Sequence, residues 1–247
     1  MSNDPQALIA KIRQRIDDRI ANRLKELREF HQLQLDDGSE TERSFEKYAG
    51  KLALPCVVSS PASDADIEAF EQKVKLKIPD DVRLMYRTLG GWGGNFPGEM
   101  LVTFPSPKEL VQDFADDAPA YSRLRGIGLH DMVNHCWGTR EDLQVDSGFP
   151  QQTIDTLNRF PCFGWFGDGY CESHAYIIQT GDNRYSLYGW HQDYGFSMPT
   201  QDHEMGLFEL ILKVLETNEC LSVSDDGEET SIFISDLLEA INGEREF

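Results

Sequence analysis

Apolar positions recur at helical spacing through the first third of the chain and at strand spacing later on. Over residues 5–35, Leu8, Ile12, Ile16, Ile20, Leu24, Leu27 and Phe30 line one side of a long amphipathic helix. A second helical stretch runs from Ser63 to Gly94 (SDADIEAFEQKVKLKIPDDVRLMYRTLGGWGG). Ser63 suits an N-cap, and Asp66 three residues on completes a variant capping box. Ile67, Phe70 and Val74 then recur at helical spacing. A turn through Ile78-Pro79-Asp80-Asp81 starts a further helix, because proline suits a first turn and not a helix interior. Val82, Met85, Tyr86 and Leu89 form its apolar stripe, and Gly90-Gly91 end it.

Beyond this point the signals shorten. Residues 36–62 read as a connector, with a strand over Leu52–Val58 interrupted by Pro55. Met100–Phe104 reads as a strand, and Lys108–Phe114 as a short helix opened by Ser106-Pro107. Residues 115–159 are the least patterned. They suggest a long inserted loop with one helix near Gln151–Asn158. From Phe160 the period changes to that of strands. Cys162–Phe166, Ser173–Gln179 and Arg184–Trp190 are separated by turns at Gly167-Asp168-Gly169 and Thr180-Gly181-Asp182-Asn183, which is the pattern of a β-meander. Leu207–Leu215 is helical, and Ser231–Leu238 suggests a last strand-to-helix element. The predicted fold class is α+β: N-terminal helices followed by a mainly antiparallel β-meander sheet packed against helices. The predicted organisation is an amphipathic helix at 1–35, a connector at 36–60 and an α+β domain at 61–247.

The ordered series of elements over residues 61–216 resembles the SUKH superfamily, which takes in fungal cell-wall-synthesis regulators and many bacterial immunity proteins. The resemblance rests on Ile67, Phe70 and Glu71 in an Ile-x-x-Phe-Glu helix, on the Ile78-Pro79 pair, and on the Gly90-Gly91 stop. It continues through Phe160–Tyr176 (FPCFGWFGDGYCESHAY), an apolar strand, a Gly-Asp-Gly turn and another strand. It closes at Leu207-Phe208-Glu209-Leu210-Ile211. The chain departs from the family pattern between Gly94 and Phe160, where it is longer, and in its first 50 residues. The resemblance implies a SUKH-like fold and a non-enzymatic protein-binding domain. It points to an immunity protein that binds and neutralises a cognate toxin, often a basic nuclease. The alternative within the same family is a regulatory or scaffold module without a toxin partner. The resemblance also implies a recognition surface around the Gly-Asp-Gly turn.

Charge sharpens this picture. The formal net charge is −20 over 247 residues. Residues 1–60 hold ten basic and ten acidic side chains, and residues 61–247 hold thirteen and thirty-three, so the whole imbalance lies in the second part. Such a surface repels nucleic acid, whose phosphates need clustered Lys and Arg. It attracts a basic protein and speeds the encounter by roughly 10–1000-fold at low salt; solubility alone also accounts for an acidic surface. Arg15, Arg19 and Arg23 set like charges four residues apart along the first helix, which an isolated helix disfavours. That helix reads as packed on its own domain, as a homodimerisation helix or as a partner-binding arm. No run of 18 apolar residues and no signal-peptide pattern are present, and five scattered cysteines suggest no disulfide framework. The expectation is a cytoplasmic protein without membrane or nucleic-acid contacts.

The chemistry-bearing residues are sparse. Cys171-x-x-His174 with His191 or His203 is too thin a ligand set for structural zinc, and on a strand residues three apart face opposite ways. His130, His135 and Cys136 offer a Cys–His pair with no recognisable oxyanion loop. Gly90-Gly91-Trp92-Gly93-Gly94 lacks the Lys-Ser/Thr of a phosphate loop and reads as a mobile turn. No catalytic residue, metal or cofactor is expected. Aromatic residues are dense around the meander: Trp165, Phe166, Tyr170, Tyr176, Tyr185, Tyr188, Trp190, Tyr194 and Phe196. Alternation along strands predicts that some face outward with the nearby acids, and Tyr and Trp are favoured interface anchors. Trp165, Asp168, Tyr170, Glu172, Trp190, Asp193 and Tyr194 are therefore the candidate protein-binding residues.

Overall fold

A computed structural model describes residues 4–36, 57–94, 101–114, 124–137, 150–167, 173–191, 195–197 and 204–217. Among these, helices α1 (Pro5–Asp36), α2 (Asp64–Val74), α3 (Asp80–Thr88), α4 (Pro107–Asp113), α5 (Leu129–Trp137), α6 (Gln151–Leu157) and α7 (Leu207–Thr217) accompany seven strands. The strands are β1 (Val57–Val58), β2 (Trp92–Gly94), β3 (Leu101–Phe104), β4 (Cys162–Gly167), β5 (Ser173–Gly181), β6 (Arg184–His191) and β7 (Gly195–Ser197). They form one sheet in sequence order, every pair antiparallel, so the expected meander extends across the whole sheet.

Local chemistry accounts for the helix boundaries. Ser63 accepts from the Asp66 backbone N–H, and the Asp66 carboxylate accepts from the Ser63 N–H, closing the capping box. That carboxyl is held below the usual range by its hydrogen bonds from the Ser63 hydroxyl and backbone. Ser106 and Glu109 form a second capping box at α4, with Pro107 in its first turn. Between α2 and α3, Glu71 Oε1 accepts from the Ile78 backbone N–H at 2.9 Å and pairs with Arg83. Partial burial pushes the Glu71 carboxyl up, but these donors outweigh it and leave it below its ordinary value. The motif glutamate thus fixes the turn between two helices.

The Gly90–Gly94 stretch is not a mobile turn. Gly90 adopts φ +70° and ends α3; a Cβ there would sit 2.6 Å from the Ser59 and Ser60 carbonyl oxygens. A Cβ on Gly91 would meet the Ser106 backbone nitrogen at 2.4 Å. Ser59 bonds Gly91 through both its backbone and its hydroxyl. The glycines allow β1, α3 and the start of α4 to meet, and Trp92 then enters β2, stacked on Phe104 with ring centroids 4.4 Å apart.

Of the readings open for α1, the structure has it packed on its own domain. Ile9, Ile12 and Ile16 are buried in the same core as Ile67, Phe70, Tyr86 and Phe163, so the core does not divide at residue 35. α1 packs along α7, and the Arg13 guanidinium donates to the Thr88 carbonyl at the end of α3. The stretch 115–159, expected to be mostly loop, contains α5, whose Leu129, Met132 and Val133 are buried. Ser231–Leu238 lies outside the described residues.

Two substitutions test this core. Phe70 and Ile12 are both fully buried. We expect Phe70→Ala to cost about 3–5 kcal/mol and Ile12→Ala about 2–5 kcal/mol in urea denaturation. A loss under about 1 kcal/mol at Ile12 would return α1 to the status of an arm outside the core.

Candidate functional site

Cross-strand register shows which candidate residues share a face. Leu101, Gly167, His174, Trp190 and Phe196 stand opposite one another across β3 to β7. Two positions along, Thr103, Trp165, Tyr176 and Tyr188 form a parallel row on the same face. The intervening row, Val102, Phe166, Ala175, Gly189 and Ser197, points the other way.

Among the described residues, the aromatic side chains of the central strands do not face outward as strand alternation predicted. Every residue of β4 is buried, as are residues 174–178 of β5 and 185–189 of β6. Trp165 is 7% exposed, Tyr176 0% and Tyr188 2%. Trp165 packs against Tyr176 at 6.3 Å between ring centroids, and His174 stacks on Tyr176 at 5.9 Å. The physical reason is position in the sheet. The three long strands have neighbours on both sides and cover on both faces, so both alternating sets of side chains are interior. Burial raises the Tyr188 phenol well above its ordinary range. Trp165 is therefore part of the core rather than the surface. Trp190 holds the register position opposite His174; its side chain, and all of Asp168, Tyr170, Glu172, Asp193 and Tyr194, lie outside the described residues.

The pairing nevertheless locates the ends of the segments that carry those residues. The chain leaves β2 at Gly94, β4 at Gly167 and β6 at His191. It re-enters the sheet at Leu101, Ser173 and Gly195. Leu101 pairs with Gly167, Gly167 with His174, and His191 with both Ser173 and Gly195, so all six points lie at one end of the sheet. In sequence, connections 95–100, 168–172 and 192–194 contain Glu99, Asp168, Glu172 and Asp193, and neither Lys nor Arg. They also contain Phe96, Tyr170 and Tyr194. Glu99 and Phe96 escaped the sequence reading, because only the β2–β3–β4 pairing brings the ends of their connection to the same end of the sheet as Gly167.

His174 stands at the base of this end. It is 2% exposed, and a Cβ on Gly167 would approach its Nε2 to 2.9 Å, so the glycine leaves room for the ring. Burial lowers its pKa from 6.5 to about 4. At the other end of the same strands Tyr185 donates to Asp81 Oδ1 at 2.6 Å, joining β6 to the first turn of α3. Burial and this carboxylate raise the Tyr185 phenol far above its usual range. His130 is buried beside Asp131 and Asn134, and Asn158 Oδ1 accepts from the Asp131 backbone N–H at the start of α5. Among the described residues no three His, Cys, Asp or Glu side chains are grouped to hold a metal ion. No helix of the described residues is long and apolar enough to cross a membrane.

The His174 environment has a pH consequence. The native state resists protonation of this ring, so the unfolded chain binds the proton more readily between pH 6.5 and about 4. Stability from His174 is complete above pH 6.5 and falls as pH drops toward 4, by on the order of 3 kcal/mol. We expect His174→Gln to flatten this limb relative to the natural protein, measured by denaturation at half-unit pH steps. Parallel profiles for the two proteins would show that the ring takes up its proton as readily in the fold as in the unfolded chain.

No protein-family model, no curated protein and no solved structure matches the chain.

Proposed function

We propose that this protein is a non-enzymatic protein-binding domain of SUKH type, acting in the cytoplasm as an immunity protein that occludes a basic toxin. The observation that carries this reading is that the strand ends bounding three connections lie together at one end of the sheet. Their sequences supply four carboxylates and three aromatic rings without a compensating cation. Four acids on a chain of net charge −20 steer a cationic partner toward that end. The aromatic rings supply contact area once encounter has occurred. The helical order Ile67, Phe70, Glu71, Ile78-Pro79 and the meander support the SUKH reading through likeness alone. Inhibition would be steric and electrostatic, with no turnover. The scaffold alternative uses the same surface on a partner without toxic activity.

Affinity capture from the native host identifies the partner, and stopped-flow mixing at several salt concentrations tests the surface. We expect Asp168→Asn, Glu172→Gln and Asp193→Asn together to slow association and flatten its salt dependence. Trp190→Ala should instead raise the dissociation rate, because an anchor acts mainly after encounter. Unchanged kinetics in both variants place the interface elsewhere. An acidic partner refutes the charge argument, and a captured partner without toxic activity favours the scaffold alternative.

A further inference from the structure

The last pair of the β4–β5 ladder is Gly167 with His174, and the chain leaves the sheet immediately after Gly167. The His174 ring is held there from two sides. A Cβ on Gly167 would meet its Nε2, Cδ2 and Cε1 at 2.9, 3.1 and 3.3 Å, so the far edge of the ring lies against the glycine. The Tyr176 ring stacks on it at 5.9 Å with 23° between the planes. Tyr176 packs in turn against Trp165, two residues before Gly167. The imidazole thus ties the final residue of β4 to the interior of the sheet, and all of these residues are buried.

A proton on this ring meets an apolar setting. Among the described residues of its sheet face, the titratable neighbours are Tyr176, Tyr188 and, two rows further, Cys162. Arg184 stands at the far end of β6, beside Glu204. Burial keeps the Tyr188 phenol neutral and holds the ring's own pKa at about 4, against 6.5 in water. An imidazolium is accommodated by returning it to water. Releasing one terminal pair achieves this at far lower cost than opening the core, because ladder ends open at lower free energy than interior pairs. Phe166–Ala175 and Trp165–Tyr176 are the next pairs inward, and their side chains are buried. Gly167 has no side chain with which to hold the end shut.

We propose that His174 is an acid-sensitive latch: on protonation the ring leaves Gly167 and the end of the β4–β5 ladder opens, while the helices and the rest of the sheet stay folded. The connection between β4 and β5 runs from Gly167 to Ser173. Acidification would therefore also loosen a partner's grip, a consequence that rests on the binding role proposed for this sheet end. The test is residue-resolved amide exchange on the full chain by NMR at pH 7.0 and 4.5, with rates corrected for their intrinsic pH dependence. Protection over residues 166–167 and 174–175 should fall by roughly 60-fold, the ratio set by proton affinities of 6.5 in the open end and about 4 in the closed one. The fall should be unchanged by about 1 M urea, which marks a local opening, whereas exchange in α3 should be slower and should quicken with urea. His174→Phe keeps a stacked ring without the proton and should hold protection within about threefold across this range. Gly167→Ala presses a methyl group on the ring and should lower protection already at pH 7.0. Protection unaltered by pH, a fall as urea-dependent as that of α3, or a fall that persists in His174→Phe would overturn the proposal. Should His174→Phe not fold, the urea dependence of the natural chain still decides between latch and global unfolding. None of these measurements involves a partner, so the latch and the binding role stand or fall separately.

Discussion

Burial of β4, β5 and β6 on both faces is the constraint from which the rest of the architecture follows. A strand covered on both sides can carry apolar or aromatic groups at every position, and these strands do so through Phe163, Trp165, Phe166, Tyr176, Ile177, Leu187 and Tyr188. Two faces of cover demand more helix than one. α1 is part of that cover, which explains why its first half is built on isoleucines that are inaccessible to solvent. The edges of the sheet are short: β1 has two residues and β7 three. Short edge strands limit pairing with foreign strands, a hazard for a long sheet with open edges.

Helices and sheet are joined by polar links at the ends of α3. Glu71 sets the turn before it, the Asp81 carboxylate takes the Tyr185 phenol, and Arg13 supplies a donor to Thr88 at its far end. Thr88 offers one of the last carbonyls of α3, which the helix terminus leaves without an intrahelical partner. α3 is thus fixed at both ends, and its apolar stripe of Val82, Met85 and Tyr86 is pressed into the core.

Much of this was legible in the sequence where the signal is local. Ser63 with Asp66, Ser106 with Pro107, the Pro79 start and the Gly90 stop are short-range chemistry, and each marks a boundary within a residue or two of the observed one. The three central strands were also readable from their turns. The failures depend on distance. Whether Trp165 faces water depends on what covers β4, not on alternation within it. That Gly91 is a contact rather than a hinge depends on Ser59 and Ser106, 32 and 15 positions away. α5 was missed because its run, Leu129 to Trp137, interleaves the apolar Leu129, Met132 and Val133 with His130, Asp131, Asn134 and His135. Of the candidate binding residues, Trp165 and Trp190 could be placed on a face of the sheet, while Glu99 entered only through strand pairing.

The strictly sequential strand order carries a kinetic consequence. β4 to β7 are joined by short connections, so their pairing closes small loops at low entropic cost. The β3–β4 pairing instead closes the interval from Phe104 to Cys162, across α4, α5 and α6, the longest between neighbouring strands in the sheet. Formation should therefore be polarised, with the β4–β6 ladder assembled in the transition state and β1–β3 added afterwards. Folding-rate analysis would register this as φ-values near one at Ile177 and Leu187 and near zero at Phe104. The inverse result would mean that α2 and α3 organise the sheet from its other edge.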